Sequence, residues 1–252
     1  MTASEKKEDK FMSHNPRHAT AFIALISAAG LGSVGFGLTQ TANWHPLEAL
    51  ALFAIALAAA RMKVKLPGLT GTMSVNLPFV LLAVAELNLA EALLVACAST
   101  AAQCWPKGGA KPKPVQMLFN VSSMASAVVV GWEVFHQGAA NHPWFTGALL
   151  LPLAVLGFFL IQTMPVSIVI ALTEGSLARK VWTAIVQMTF PSYVLSTGIA
   201  SIMIAVRQQA VWPASLLVLA VMYGTYRSYQ MYFGRAAENS PLGLAQAATA
   251  GH

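Results

Sequence analysis

Charged residues are scarce in this chain of 252 residues, since Asp, Glu, Lys and Arg together make up 10% of it. Hydrophobic residues make up 56%, and the mean hydropathy is +0.62. A soluble domain needs a polar surface that this composition cannot supply. The sequence therefore predicts an integral membrane protein of the all-α class.

Acidic and thiol groups are also few. The only Asp is Asp9, and the two cysteines, Cys97 and Cys104, lie about 10 Å apart along one predicted helix, too far for a mutual disulfide. No Cys or His residues have the spacing of a zinc site, and no nucleophile with its base or phosphate-binding loop is recognisable. The sequence thus predicts no catalytic residue, no metal site and no cofactor.

Eight apolar segments alternate with short polar connections. Several are shorter than the roughly 20 residues that cross hydrocarbon without tilt, so six or seven crossings with a re-entrant segment are the alternative. The eight predicted spans are residues 20–38, 46–60, 72–87, 90–105, 115–136, 145–172, 191–206 and 210–233.

Basic residues give the orientation of this bundle. Fourteen of the fifteen Lys and Arg residues fall on one side of the threading, and only Arg207 falls on the other. Cytoplasmic connections carry the excess of Lys and Arg, so both termini are predicted to be cytoplasmic in a multi-pass protein of the inner (plasma) membrane. Because the net charge of +6 comes from clusters beside apolar segments, it predicts contact with the lipid bilayer and no nucleic-acid binding.

The chain divides into one membrane domain and two polar ends. We expect a disordered cytoplasmic N-terminus over residues 1–19, a transmembrane helical bundle over 20–234, and a disordered cytoplasmic tail over 235–252. The first span has no convincing cleavage site, so we expect it to be retained and not removed as a signal peptide. The tail is too short to fold, so no soluble output domain is expected on this chain.

Small residues recur on the first span, where Ala29, Ser33 and Gly37 have four-residue spacing. Small residues let helix backbones approach closely in lipid. We expect this stripe to pack inside the bundle, with a subunit interface as the alternative.

The fifth span carries the most regular polar pattern. Gln116, Asn120, Ser123 and Ala127 share one helical face, which should point to the bundle interior or to a wet cavity. The stripe is either part of a ligand site or a set of hydrogen bonds to Asn76 or Gln103 on neighbouring helices.

Acidic residues collect near the predicted outer helix ends. They would form an acidic mouth that binds a cation, a proton or a basic ligand, unless each carboxylate only reaches headgroup water. Glu133 and His136 match half of a di-iron pattern, and no second copy is present. The group consists of Glu48, Glu86, Glu91 and Glu133 with His45, His136 and His142.

The segment after the basic RMKVK reads LPGLTGTMSVNLPFVLLA, and its Pro and Gly residues should break the helix at the inner boundary. With QCW at 103–105 and KPKPVQMLFNVSSMA from Lys111, it resembles the membrane-associated sensor (MASE-like) regions that precede diguanylate cyclase or HD-type phosphohydrolase domains in bacterial signalling proteins. The resemblance covers about residues 61–136. It implies a sensor without catalytic activity of its own.

Two functions follow as expectations. The first is a stand-alone sensor or ligand-binding module that signals through a cytoplasmic partner or as a homo-oligomer. The second is a small transporter or the substrate-binding subunit of one. No inverted repeat and no charged pair in mid-membrane is visible, although both are typical of secondary transporters.

The predicted topology is tested by reporter fusions at successive connections. Fusions near Lys65, Lys111 and the C-terminus should be active only with a cytoplasmic reporter, because the insertion bias retains basic loops inside. A fusion near Asn141 should be active only with a reporter that needs the outer compartment. A C-terminal reporter that is active outside would contradict the threading.

Overall fold

The computed structural model describes residues 16–40, 44–65, 72–74, 76–105, 114–141 and 147–206. These residues form seven helices and one two-stranded hairpin. In chain order they are α1 (Pro16–Thr39), α2 (Pro46–Ala60), β1 (Lys63–Lys65), β2 (Thr72–Ser74), α3 (Leu77–Glu86), α4 (Leu89–Cys104), α5 (Pro114–Asn141), α6 (Gly147–Glu174) and α7 (Ala178–Val206).

Four of these helices, α1, α5, α6 and α7, are long and apolar enough to cross a membrane. The first, fifth and sixth predicted spans match α1, α5 and α6 closely, which confirms a helical bundle of membrane type. The second and fourth predicted spans also match α2 and α4, to within one residue at each end, but these helices have only 15 and 16 residues, and α3 at the third span has 10. The eighth span, most of the polar N-terminus and the tail lie outside the described residues, so eight crossings stay a prediction.

Two predicted boundaries are wrong. Residues 72–87 are not one span: β2 pairs antiparallel with β1, in the register Lys63↔Ser74, and helix begins only at Leu77. A proline in the first turn suits that start, because an N–H there has no helical partner anyway. The seventh span starts not at Pro191 but at Ala178, and Pro191 lies inside α7 at an exposed position. The helix continues past it because only one backbone hydrogen bond is lost.

The centre of the bundle is the antiparallel hairpin of α3 and α4. Every residue from Leu77 to Ala85 is buried, and Phe79 is fully enclosed. α3 packs against α2, α4, α5 and α7, while α4 also contacts α1. Since lipid gives little hydrophobic drive between helices, close packing and internal hydrogen bonds stabilise this arrangement.

Helix α1 joins the bundle through small residues. A Cβ at Gly30 would collide with the backbone of Ser122 on α5, and one at Gly37 with Leu93 on α4. Ser33 Oγ donates to Ser126 Oγ at 3.3 Å. Internal packing is therefore confirmed for Ser33 and Gly37. It is wrong for Ala29, which is exposed, and Gly30 takes that place one residue further along.

Gly30 gives a direct test of this contact. Gly30→Ala should lower the unfolding temperature in detergent, because α1 and α5 must separate, and overpacking of this kind typically costs about 1–3 kcal/mol. Gly32→Ala is the matched control. A Cβ there meets nothing within 4 Å, and alanine favours helix by up to about 1 kcal/mol. Equal unfolding temperatures for the two variants would contradict the packing.

Candidate functional site

The turn between α3 and α4 is buried and closed by side-chain hydrogen bonds. Asn88 caps α4, because its side chain accepts from Glu91 N at 2.9 Å. The Glu91 carboxylate returns the bond by accepting from Asn88 N at 3.3 Å. Such reciprocal capping satisfies backbone groups that the helix start leaves unpaired. The turn can therefore lie inside the protein without unsatisfied amides.

Glu91 also ties this turn to a distant segment. Its Oε1 accepts from the backbone N–H of His45 at 2.8 Å, in the connection between α1 and α2. The side chain is only 2% exposed. The sequence predicts Glu91 as a carboxylate at the outer mouth, and the structure instead encloses it, with both oxygens accepting backbone N–H groups.

Helix α5 contacts the same turn through an aromatic pair. The indole N–H of Trp132 donates to Leu87 O at 3.1 Å. His136 stacks on Trp132, with ring centroids 4.2 Å apart, and Phe135 contacts the His136 ring edge-on. We call the set His45, Leu87, Asn88, Glu91, Trp132 and His136 the outer corner, after the side of the membrane that the basic residues predict for it.

The His136 ring is oriented by its own helix. Nδ1 lies 3.1 Å from Trp132 O, where a protonated Nδ1 donates to that carbonyl. In the neutral ring this leaves the lone pair on Nε2, which can accept from a ligand. The E-x-x-H pattern thus places an acceptor at the outer corner. Among the described residues no group of three or more His, Cys, Asp or Glu could hold a metal ion.

The other predicted acidic residues lie around the outer corner in sequence. Glu86 directly precedes Leu87, and Glu133 directly follows Trp132, while Glu48 is in the first turn of α2. All three are half-buried. His142 lies outside the described residues. That these carboxylates act together on one ligand stays a prediction.

The polar stripe of α5 contacts two different helices. Gln116 is exposed. Asn120 Nδ2 donates to Cys104 Sγ on α4 at 3.4 Å, and Ser123 Oγ lies 3.5 Å from both Ile161 O and Gln162 Oε1 on α6. The stripe therefore joins α4 and α6 to α5 in its buried part.

Asn76, expected near Asn120, also bonds α4. Its Nδ2 donates to Ser99 Oγ at 3.0 Å in a buried pair, so the two asparagines bond residues five positions apart on that helix. Both Cys97 and Cys104 are free thiols. The polar partners on α4 are thus Ser99 and Cys104, whereas the sequence suggested Gln103.

The sequence reasoning missed three contributors. The sequence carries no signal for Trp132, because its indole N–H is satisfied by a backbone carbonyl that only the turn of α3 and α4 presents. Ser99 is one small residue among many on α4. The free carbonyl of Ile161 can be predicted from the sequence, because Pro165 lies four residues further along and has no N–H to donate to it.

Comparison with known proteins gives one family. No curated protein and no solved structure matches the chain. The model of the MASE9 family matches residues 38–232, about three quarters of the sequence. That range includes the outer corner and the α5 stripe. The chain therefore belongs to MASE9, a family of membrane-associated sensor modules.

Proposed function

We propose that this membrane sensor module detects a ligand at the outer corner and signals to a separate partner at its basic inner side. The observation that carries the proposal is the way the outer corner joins three separate parts of the chain. Glu91 bonds the connection that precedes α2 to the buried turn of α3 and α4, and Trp132 bonds α5 to the same turn. A ligand that competes for either bond changes how these parts fit together.

The α3–α4 hairpin connects this corner to the other end of the bundle. α3 has 10 residues and so extends about 15 Å. Beyond it lie the Asn76–Ser99 pair and the strands β1 and β2. The basic residues Arg61, Lys63 and Lys65 predict that this end is cytoplasmic. A tightly packed hairpin responds as a unit, because close-packed side chains do not deform continuously.

The chemistry around the corner favours a cationic ligand or one rich in hydrogen-bond donors. Glu48, Glu86 and Glu133 supply half-buried carboxylates. His136 supplies an acceptor nitrogen on a ring that Trp132 holds in place. An acidic, partly dehydrated group of this kind attracts positive charge more strongly than an exposed one.

The charge distribution favours a sensor over a transporter. In the four long helices, as far as the structure describes them, Lys, Arg, Asp and Glu occur only near the ends, at Arg17, Glu133, Glu174, Arg179 and Lys180. Secondary transporters commonly use ionisable groups in mid-membrane to couple substrate and ion movement. The described bundle buries amides, hydroxyls and one carboxylate, Glu91, whose two oxygens already accept backbone N–H groups.

The test uses variants of the outer corner in a host that makes the native output partner. The resemblance to regions preceding diguanylate cyclase or HD-type phosphohydrolase domains makes cellular cyclic di-GMP the output to measure. Trp132→Phe removes one hydrogen bond, and Glu91→Gln removes one of two acceptor oxygens. Each should shift cyclic di-GMP by about fivefold, since about 1 kcal/mol biases a two-state equilibrium that far. Trp44→Phe, at a 61% exposed tryptophan, is the matched control.

Membrane levels of all variants are equalised by immunoblot before the outputs are compared. Unchanged cyclic di-GMP in both corner variants and in a strain without the protein would contradict the proposed function. Cation uptake into proteoliposomes that Glu91→Gln abolishes would establish the transporter instead.

A further inference from the structure

The inner ends of α6 and α7 form a helical hairpin that stands apart from the core. Within the described residues no side chain between Ala171 and Tyr193 is buried. Immediately above it the packing is tight, since Phe158 is fully buried and Phe159 contacts Tyr193 with ring centroids 4.8 Å apart. The two helices thus change from core elements to a projecting hairpin along their length.

A proline lies at each base of this hairpin. Pro165 is inside α6 and Pro191 is inside α7. Neither has an N–H, so the carbonyls of Ile161 and Gln187 lose their helical partners, and bending costs least at these points. We call residues 166–190, between the two prolines, the arm; Ser167 and Ala171 at its base are still buried, and no other side chain of the arm is.

Hydroxyl groups on both helices further weaken the backbone hydrogen bonds near Pro165 and Pro191. In α6, Thr163 Oγ1 donates to Phe159 O at 2.8 Å, and Ser167 Oγ donates to Thr163 O at 2.7 Å. In α7, Thr189 Oγ1 donates to Ile185 O at 2.8 Å. Side chains that bond the carbonyl four residues back compete with the backbone N–H and often bend helices. Both bases of the arm therefore combine a missing bond with a shared one.

Two long hydrogen bonds lie at the Pro165 base of the arm, and the second of them holds the arm in its observed position. Ser123 Oγ, on α5, lies 3.5 Å from the carbonyl of Ile161 that Pro165 leaves without a helical donor. Trp182 Nε1, within the arm, donates to Thr163 Oγ1 above the hinge at 3.4 Å. Bonds of this length are weak, so they can be released at small cost.

We propose that the arm is a hinged element that swings about Pro165 and Pro191 while the α3–α4 core stays fixed. From Pro165 to Gly175, where φ of +67° ends α6, the arm is about 15 Å long. A bend of about 20° moves its tip by about 5 Å. The tip carries exposed Arg179 and Lys180 on the side predicted to be cytoplasmic. The hinge goes beyond the proposed function, because it follows from the helices whatever the outer corner binds.

The experiment uses pulsed electron spin resonance to measure the distance between the arm and the bundle. Spin labels are placed at Leu177→Cys on the arm and Leu118→Cys on α5, at positions 77% and 48% exposed. The background is Cys97→Ala with Cys104→Ser, and the full chain is held in nanodiscs of phosphatidylcholine and phosphatidylglycerol. The native prolines should give two distance populations about 5 Å apart.

Pro165→Ala with Pro191→Ala restores both backbone bonds and should leave a single population. Trp182→Phe removes the bond to Thr163 but keeps an aromatic ring at this position. It should therefore increase the population in which the arm is displaced. This second variant keeps both prolines and tests the hinge even if the alanine variant does not fold.

Pro152→Ala is the matched control, because Pro152 lies in the same helix but outside the arm, next to residues that are buried in the core. It should leave both populations unchanged. A second label pair, Leu153→Cys with Leu195→Cys, lies above the arm and should stay in one narrow population in every variant. A single native population, or equal effects of the Pro152 and Pro165 substitutions, would overturn the hinge.

Discussion

The buried turn at Leu87 and Asn88 is the constraint on which the rest of this bundle depends. A chain reversal inside a membrane protein leaves backbone groups that lipid cannot satisfy, so side chains must bond them. Here Asn88 and Glu91 satisfy the start of α4, and Trp132 bonds the last carbonyl before it. Because those bonds come from two helices, the turn is also where the bundle is joined.

Close packing and hinging divide the bundle into two parts. Gly30 and Gly37 bring α1 against the core helices, and α3 is enclosed on every side. The prolines act in the opposite way, since Pro191 removes a backbone bond where burial ends in α7, and Pro165 removes one six residues before the last buried residue of that part of α6, Ala171. A fixed core with a hinged arm is an arrangement that can convert a binding event on one side into movement on the other.

The sequence predicts most helix bounds well: α2 and α4 match their predicted spans to within one residue at each end, and only α3 and α7 are predicted poorly. α1, α5 and α6 begin and end within about five residues of their predicted spans, because an apolar run near membrane thickness has few alternatives. The three residues of β2 are too few to show a strand periodicity in the sequence. Pro191 has the sequence signal of a helix start, but prolines are tolerated within long membrane helices.

Some features of the site can likewise be predicted from the sequence and others cannot. The face formed by Asn120 and Ser123 is readable from helical spacing, and both side chains do bond neighbouring helices. Their partners are not readable, because a thiol, a carbonyl freed by proline and a buried turn become partners only after the helices pack. The capping role of Glu91 could have been recognised from Asn88, three residues earlier.

Hydrogen exchange of the backbone amides in nanodiscs, followed by mass spectrometry, tests most directly that the bonded turn fixes the core. Peptides from α3 and α4 should exchange most slowly in the native protein and peptides from the arm much faster, because opening free energies follow burial. Asn88→Ala removes a cap that contributes about 1 kcal/mol, and it should speed exchange in both core helices together. Exchange in α3 as fast as in the arm, or unaffected by Asn88→Ala, would contradict the account.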